Sequence, residues 1–298
     1  MPNDVGFIGL GQMGMFMAKN LAKAGYAVTV FDVKPEICNE ASATIGIDKA
    51  VSPADVAAQV PVVFTCLPSV TAVEAVYTGE DGIAAGGPAG LITCDCSTMP
   101  PELSRSIAES MKTLSIHHME APIFGLPLQA RDGEVFFAVS GEEHHIKSIA
   151  PFLDAMGRGH QYVGKSGIAG ITKILQNGLG MAHAVLTSEI LITCERLGLD
   201  TNMFIDLVKN IRGLGLSVYF EHFAEAILSG EKIQAAFLPP AAKDARLAMD
   251  LAHGVDLPVP MLEESAAVHQ EAMERGWSTE EMTVVSRIAR GRKLSDVN

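Results

Sequence analysis

The sequence predicts an α/β fold, a doubly wound sheet, followed by a second domain built only of helices. Three observations predict it. Short apolar runs alternate with helical patterns from Val5 to Gly164, the strand signal then stops, and a proline-free helical stretch runs from about Ile168 to Leu197. At 298 residues the chain has room for two domains with separate cores. The division is expected at residues 1–164 and 165–298.

Val5-Gly6-Phe7-Ile8-Gly9 is a short apolar run that reads as a buried strand. Gly9-Leu10-Gly11-Gln12-Met13-Gly14 follows at once, then a helical pattern through Met17, Ala18, Leu21 and Ala22 to Gly25. Ala27 to Asp32 is a second strand that ends on an acid 18 residues after Gly14. A GxGxxG run alone is weak evidence; between a strand and a helix, with that acid in place, it is the fingerprint of a dinucleotide-binding Rossmann unit. Each residue has its own reason. Gly9 makes the tight turn, Gly11 lets the backbone approach a pyrophosphate, and Gly14 lets the helix close on the strand. The helix N-terminus then presents unsatisfied N–H groups and a positive dipole end to the phosphates. Asp32 is placed to accept the ribose hydroxyls and to repel a 2′-phosphate, which favours NAD, with NADP the alternative because Lys34 lies two residues on.

The alternation continues with a strand over Pro61–Leu67, a short helix over Thr71–Tyr77, and a strand over Leu91–Cys96. A helix runs from Pro100 to about Leu114, and a strand covers Ile116–Glu120. A further strand over Gly133–Gly141 and a helix over Glu142–Met156 complete the first domain, which Tyr162-Val163-Gly164 closes. In an open parallel sheet ligands lie beyond the carboxyl ends of the strands, where Leu67-Pro68 and Ser97-Thr98 fall. Helical stretches fill the rest, around Asn202–Ile211, Leu216–Leu228, Ala241–His253, Met261–Arg275 and Thr279–Arg290.

The stretch from Ile168 to Leu197 spreads apolar residues over most of a helical surface, so it reads as one long, largely buried helix joining the two domains. Lys173 and Asn177 sit four apart on it and share a face. A lysine near a helix start usually snorkels its ammonium to the surface. After a dinucleotide fold, the alternative is a buried amine that moves a proton.

Composition narrows the function. Hydrophobic residues are 48% and charged residues 19% of the chain, and 35 acidic residues oppose 22 basic ones. A net charge of −13 excludes nucleic acid and anionic membrane surfaces as main partners. No apolar run reaches the ~18 residues of a membrane span, and Met1-Pro2-Asn3-Asp4 lacks the basic start of a signal peptide. Five cysteines without framework spacing read as thiols in a reducing cytoplasm. Cys94 and Cys96 flank Asp95 with no second pair at zinc-site spacing, and His117-His118 and His144-His145 read as solvated pairs, so no metal is expected.

Together these residues resemble the β-hydroxyacid dehydrogenases, the family of 3-hydroxyisobutyrate dehydrogenase and tartronate semialdehyde reductase. The likeness covers nearly the whole chain. Phe7 to Gly14 with Met17-Ala18-Lys19-Asn20-Leu21 matches the N-terminal signature, and Leu67-Pro68 and Asp95-Cys96-Ser97-Thr98 match the cofactor loops. Lys173-Ile174-Leu175-Gln176-Asn177 matches the catalytic helix, and Lys243-Asp244 a later Lys-Asp pair. The resemblance implies a catalytic Lys173, a substrate-orienting Asn177 and Lys243 near the nicotinamide. It implies cofactor contacts at Gly9, Leu10, Gly11, Gln12, Met13, Gly14, Asp32, Leu67, Pro68 and Thr98, and substrate contacts at Ser97, Phe124 and Gly125. It also implies a small hydroxyacid or semialdehyde substrate and a homodimer or homotetramer. One segment departs from the pattern: the family usually carries Asp-Ala-Pro-Val-Ser-Gly-Gly, a carboxylate-holding loop, where this chain has Glu120-Ala121-Pro122-Ile123-Phe124-Gly125-Leu126. A more apolar or differently shaped pocket follows.

Oxidation would need a neutral Lys173 to take the hydroxyl proton while the hydride leaves, and reduction would need the ammonium to return it. A free lysine titrates near ~10.4, so the base role asks for an environment that brings it toward ~7–8. An imine reductase of the same architecture is the nearest rival; Phe124 and Leu126 favour it, and Lys173, which that group generally lacks, opposes it. A non-catalytic, cofactor-bound scaffold would call for a lost lysine or an added basic surface, and the sequence has neither.

Overall fold

The structure is a computed structural model that describes residues 4–44, 46–213, 215–233 and 237–292. Residues 1–3, part of the N-terminal stretch read above, lie outside it. The chain forms two compact units, Met1–Lys173 and Ile174–Asn298, and the division falls inside the helix Ile168–Arg196.

The first unit is built on one sheet. Its strands are β1 (Asp4–Ile8), β2 (Ala27–Phe31), β3 (Ile47–Lys49), β4 (Val62–Thr65), β5 (Ile92–Asp95), β6 (His117–Glu120), β7 (Ile123–Phe124), β8 (Phe136–Ser140) and β9 (Gly159–Gly164). The order is β3-β2-β1-β4-β5-β6-β8-β7, with β9 paired to β8. Strands β1 to β6 pair in parallel in the 3-2-1-4-5-6 order of a doubly wound nucleotide fold. Past β6 the sheet is mixed: β8 runs antiparallel to β6 and to β7, and β9 pairs parallel to β8.

Burial follows from the runs read in sequence. Val5, Phe7, Val62, Phe64, Cys94 and Met119 lie against Leu21, Phe152 and Met156 in one layer. Ile8, Val63, Tyr77, Ile83, Ile107 and Met111 fill the other. Helices cover both sides of the sheet, and its central strands β1, β4 and β5 are buried nearly throughout, whereas β2 alternates and β3 is mostly exposed.

Between Asp32 and Pro61 periodic signals are few, yet the structure holds a helix (Pro35–Ser42), β3 and a second helix (Pro53–Gln59) there. Strand β3 has three residues and two are exposed, too short to show a period. The second helix carries a readable start: Pro53 at its first turn, and Ser52 Oγ accepting from the Asp55 N–H at 3.1 Å.

Two expectations are corrected. His117 and His118 are not a solvated pair: successive strand residues face opposite ways, and His118 is buried. Its Nδ1 meets Thr93 Oγ1 at 3.0 Å, its ring stands edge-on to Tyr77, and burial pushes its imidazole down to about 3. The long helix is not largely buried either. Leu175, Leu179, Leu186 and Ile190 are between 42% and 59% exposed, because one chain covers only part of a surface that is apolar nearly all round.

The second unit is helical: the remainder of Ile168–Arg196, then Thr201–Ile211, Val218–Ser229, Leu238–His253, Pro260–Glu274 and Ser286–Gly291, with a 3₁₀ turn at Met282–Val285. Asp200 and Ser217 cap two of these by accepting from Met203 and Phe220 N–H groups. No helix among the described residues is long and apolar enough to cross a membrane.

Candidate active site

The glycine turn after β1 is dictated by backbone packing. Gly9 has φ +90°, and a Cβ there would lie 2.3 Å from the Cys66 carbonyl oxygen. A Cβ on Gly14 would fall 1.9 Å from the Gly9 oxygen. Gly11 is different: a Cβ there would meet nothing within 4 Å, so the chain itself does not require glycine at that exposed position. A ligand lying against the backbone would require it. The helix that follows (Gly14–Lys23) has no side-chain cap among the described residues and no acid in its first turn, which leaves its positive end available to an anion. These features fit a pyrophosphate.

Asp32, at the end of β2, braces this turn. Its Oδ2 accepts from the Leu10 N–H at 2.8 Å and its Oδ1 from the Lys34 N–H at 2.9 Å. Each carboxylate oxygen keeps acceptor capacity for a ribose hydroxyl. Gln12 is exposed beside Gly11, and Met13 is half-buried.

At the ends of β4 and β5 the construction is by side chains. Asp95 Oδ1 accepts from Thr65 Oγ1 at 2.6 Å, from Ser97 Oγ at 2.7 Å and from the Ser97 N–H. Ser97 Oγ in turn accepts from the Leu67 N–H at 2.8 Å, which fixes the Leu67-Pro68 turn. Asp95 is wholly buried and its Oδ2 has no hydrogen-bond partner among the described residues. Burial pushes its carboxyl up to about 6, against the pull of the Thr65 and Ser97 hydrogen bonds; the charge of Glu120 adds to the rise. Thr98 is half-buried next to it.

Glu120, paired across the sheet with Asp95, is also buried. Its Oε2 accepts from Ser140 Oγ at 2.6 Å and from the Gly167 N–H. That second bond ties the start of the long helix to the end of β6. A Cβ on Gly170 would come within 3.3 Å of Glu120 Oε1, so this first helical turn sits close against the strand end. Lys173 follows one turn on and is buried, at 8% exposure, rather than snorkelling outward. Its Nζ lies 4.8 Å from the centre of the Phe124 ring, in cation–π range. Gly125 is exposed, with φ +151° and no room for a Cβ against Val135.

In the helical unit, Gly178 brings two helices together, since a Cβ there would fall 2.4 Å from the Ala248 Cβ. This close crossing sets Asn177 beside Asp244, and Asn177 Nδ2 donates to Asp244 Oδ2 at 2.6 Å. Lys243 Nζ is 3.4 Å from Asp244 Oδ1. Asp244, Asp95 and Glu120 were not singled out from the sequence as site residues. The available signal was an acid inside or just after an apolar run, which is costly unless the acid has partners.

Residues 4–164 match the family described as the NAD binding domain of 6-phosphogluconate dehydrogenase. Residues 167–288 match the one described as the NAD-binding domain of NADP-dependent 3-hydroxyisobutyrate dehydrogenase. The chain belongs to the NAD(P)-binding β-hydroxyacid dehydrogenase family. This dehydrogenase is 32% identical over 292 residues to the human mitochondrial 3-hydroxyisobutyrate dehydrogenase, covering 96% of this chain and 86% of that one. It is 27% identical over 281 residues to the 3-sulfolactaldehyde reductase of Escherichia coli K12, covering 94% of each. Among solved structures, the Mycobacterium tuberculosis 3-hydroxyisobutyrate dehydrogenase with L-serine has the same fold, with a TM-score of 0.87 over 98% of this chain and all of that one at 23% identity.

Proposed function

We propose that this dehydrogenase interconverts a β-hydroxyacid and its semialdehyde, of the 3-hydroxyisobutyrate or 2-hydroxy-3-oxopropionate type, with Lys173 as general acid and base. When bound, the nicotinamide supplies or accepts the hydride. The observation that carries this reading is the burial of Lys173 against Phe124, on a helical turn that Glu120 anchors to the sheet. An amine held there is kept from bulk water and placed by the same strand ends that follow the nucleotide turn. It takes the substrate hydroxyl proton during oxidation and returns it during reduction.

Asn177 is one turn along the same helix face. One of its amide hydrogens goes to Asp244, which fixes the direction of the amide and leaves the second hydrogen for the substrate oxygen. Asp244 is thus a positioning residue. Phe124 replaces a hydroxyl-bearing residue of the family's loop with a ring, so a substrate carboxylate is held by backbone groups around Gly125 more than by this side chain. Asp32 favours NAD over NADP, since a second negative charge on the ribose would face its carboxylate.

A turnover screen of β-hydroxyacids and semialdehydes, with NAD and with NADP, tests the assignment. Activity with at least one of these pairs, and a preference for NAD, is expected. Lys173→Ala is expected to bind the cofactor as the parent does and to lose about two to four decades of kcat. Turnover within a few-fold of the parent would remove Lys173 from proton transfer.

A further inference from the structure

We propose that His117, Glu142 and His145 form a binding site for one divalent ion of the zinc class. One ligand atom from each lies within 4.8 Å of the others. Bonds of about 2.0–2.1 Å to zinc put tetrahedral ligands about 3.4 Å apart. The rings of His117 and His145 are half-exposed and Glu142 is exposed, which leaves their side-chain torsions room to adjust.

Two separate stretches of chain build the cluster. His117 opens β6, where it pairs with Ile92, three residues before the Asp95–Glu120 pair at the other end of the strand. It therefore stands about 10 Å along the strand from the carboxyl ends that carry the nucleotide turn. Glu142 and His145 come from the tight turn after β8, where a 3₁₀ helix spans Glu143–His145. Glu142 caps this turn, its carbonyl accepting from the His145 N–H at 3.0 Å, which keeps the two residues close together beside His117.

The arrangement within the cluster asks for a cation. The His117 and His145 rings lie 4.0 Å apart between centres, and His144 packs at the same distance on His145. The neutral imidazole is the form that binds metal. His145 Nε2 is buried and makes no hydrogen bond among the described residues, although the Glu142 carboxylate is 3.7 Å away. His144 Nε2 lies 3.5 Å from the same carboxylate and would orient it behind the ion. Two imidazoles and one carboxylate suit Zn²⁺, whereas Mg²⁺ and Ca²⁺ prefer oxygen ligands throughout. Water completes the shell on the exposed side.

The test titrates the full chain with ZnCl₂ by calorimetry and follows thermal melting with and without the ion. One equivalent is expected to bind, with a rise in melting temperature. His145→Ala and Glu142→Gln, both in the surface turn, are each expected to weaken binding by about tenfold or more and to abolish the rise. His117→Ala is expected to match them if circular dichroism shows it folded. His253→Ala, which removes the exposed pair with Glu263, serves as the control and is expected to bind as the parent does. The proposal is overturned if the parent takes up no zinc at about 100 μM, or if the two turn variants bind it as tightly as the parent. MgCl₂ heats equal to those of ZnCl₂ would overturn the choice of ion.

Discussion

Two regions at the carboxyl ends of the sheet are built in opposite ways. The turn after β1 acts through its backbone: Gly9 and Gly14 are glycines because other backbone atoms occupy the space of a side chain, whereas the space beside Gly11 is open, where we propose that the cofactor lies. The ends of β5 and β6 act through side chains, with Asp95, Ser97 and Glu120 joined to Thr65, Leu67 and Gly167. The difference teaches where chemistry is free to vary. A backbone cradle accepts the same phosphates whatever surrounds it, whereas a side-chain scaffold can change what it binds by exchanging one residue, and Phe124 is the residue proposed above to do so.

The backbone cradle is most vulnerable at Gly14. Gly14→Ala places a carbon inside the Gly9 carbonyl, and a loss of about 4 kcal/mol of stability or failure to fold is expected. Gly11→Ala, three residues away, is expected to stay within about 1 kcal/mol of the parent in urea unfolding. It should nevertheless bind NAD(P) about tenfold more weakly, a change of about 1.4 kcal/mol. If both variants behave alike, the two glycines do not have the separate roles assigned to them.

Asp95 sharpens the other half. Its carboxyl is raised from 3.8 to about 6, so between those values the folded chain holds a proton that the unfolded chain has released. Stability therefore falls as pH rises through that window, by up to about 3 kcal/mol, and the cost stays in place above it. Asp95→Asn keeps an oxygen for Thr65 and Ser97 and has no charge to bury. Its stability relative to the parent should rise from pH 4 to pH 7 in urea titrations. A constant difference would mean that the group does not titrate in that range. His118, held down by burial, titrates with the opposite slope but is common to both chains.

The smallest expected effect is at Phe124. Phe124→Ser restores a hydroxyl beside Lys173 and should lower the KM for a β-hydroxyacid by about tenfold, worth about 1.4 kcal/mol, with kcat nearly unchanged. An unmoved KM would place the substrate carboxylate elsewhere.

Much of this was legible in one dimension. The strand–turn–helix run through Gly9, Gly11 and Gly14, the acid at Asp32 and the alternation that follows are local patterns, since backbone sterics and strand or helix periods act over a few residues. The Lys173–Asn177 spacing is local too, because a continuous helix fixes which residues share a face. Three short elements between Asp32 and Pro61 escaped notice because none is long enough to display a period.

What folding alone decided is every relation between residues far apart in the chain. Burial of Lys173 depends on Glu120 reaching Gly167 and on Phe124 covering the amine, 47 and 49 residues away in the chain. Asn177 meets Asp244 because Gly178 lets one helix press on Ala248. His117 stands beside Glu142 and His145 because β8 pairs back onto the end of β6. Such contacts join groups whose separation along the chain carries no period, so residue types alone could nominate the partners but not pair them.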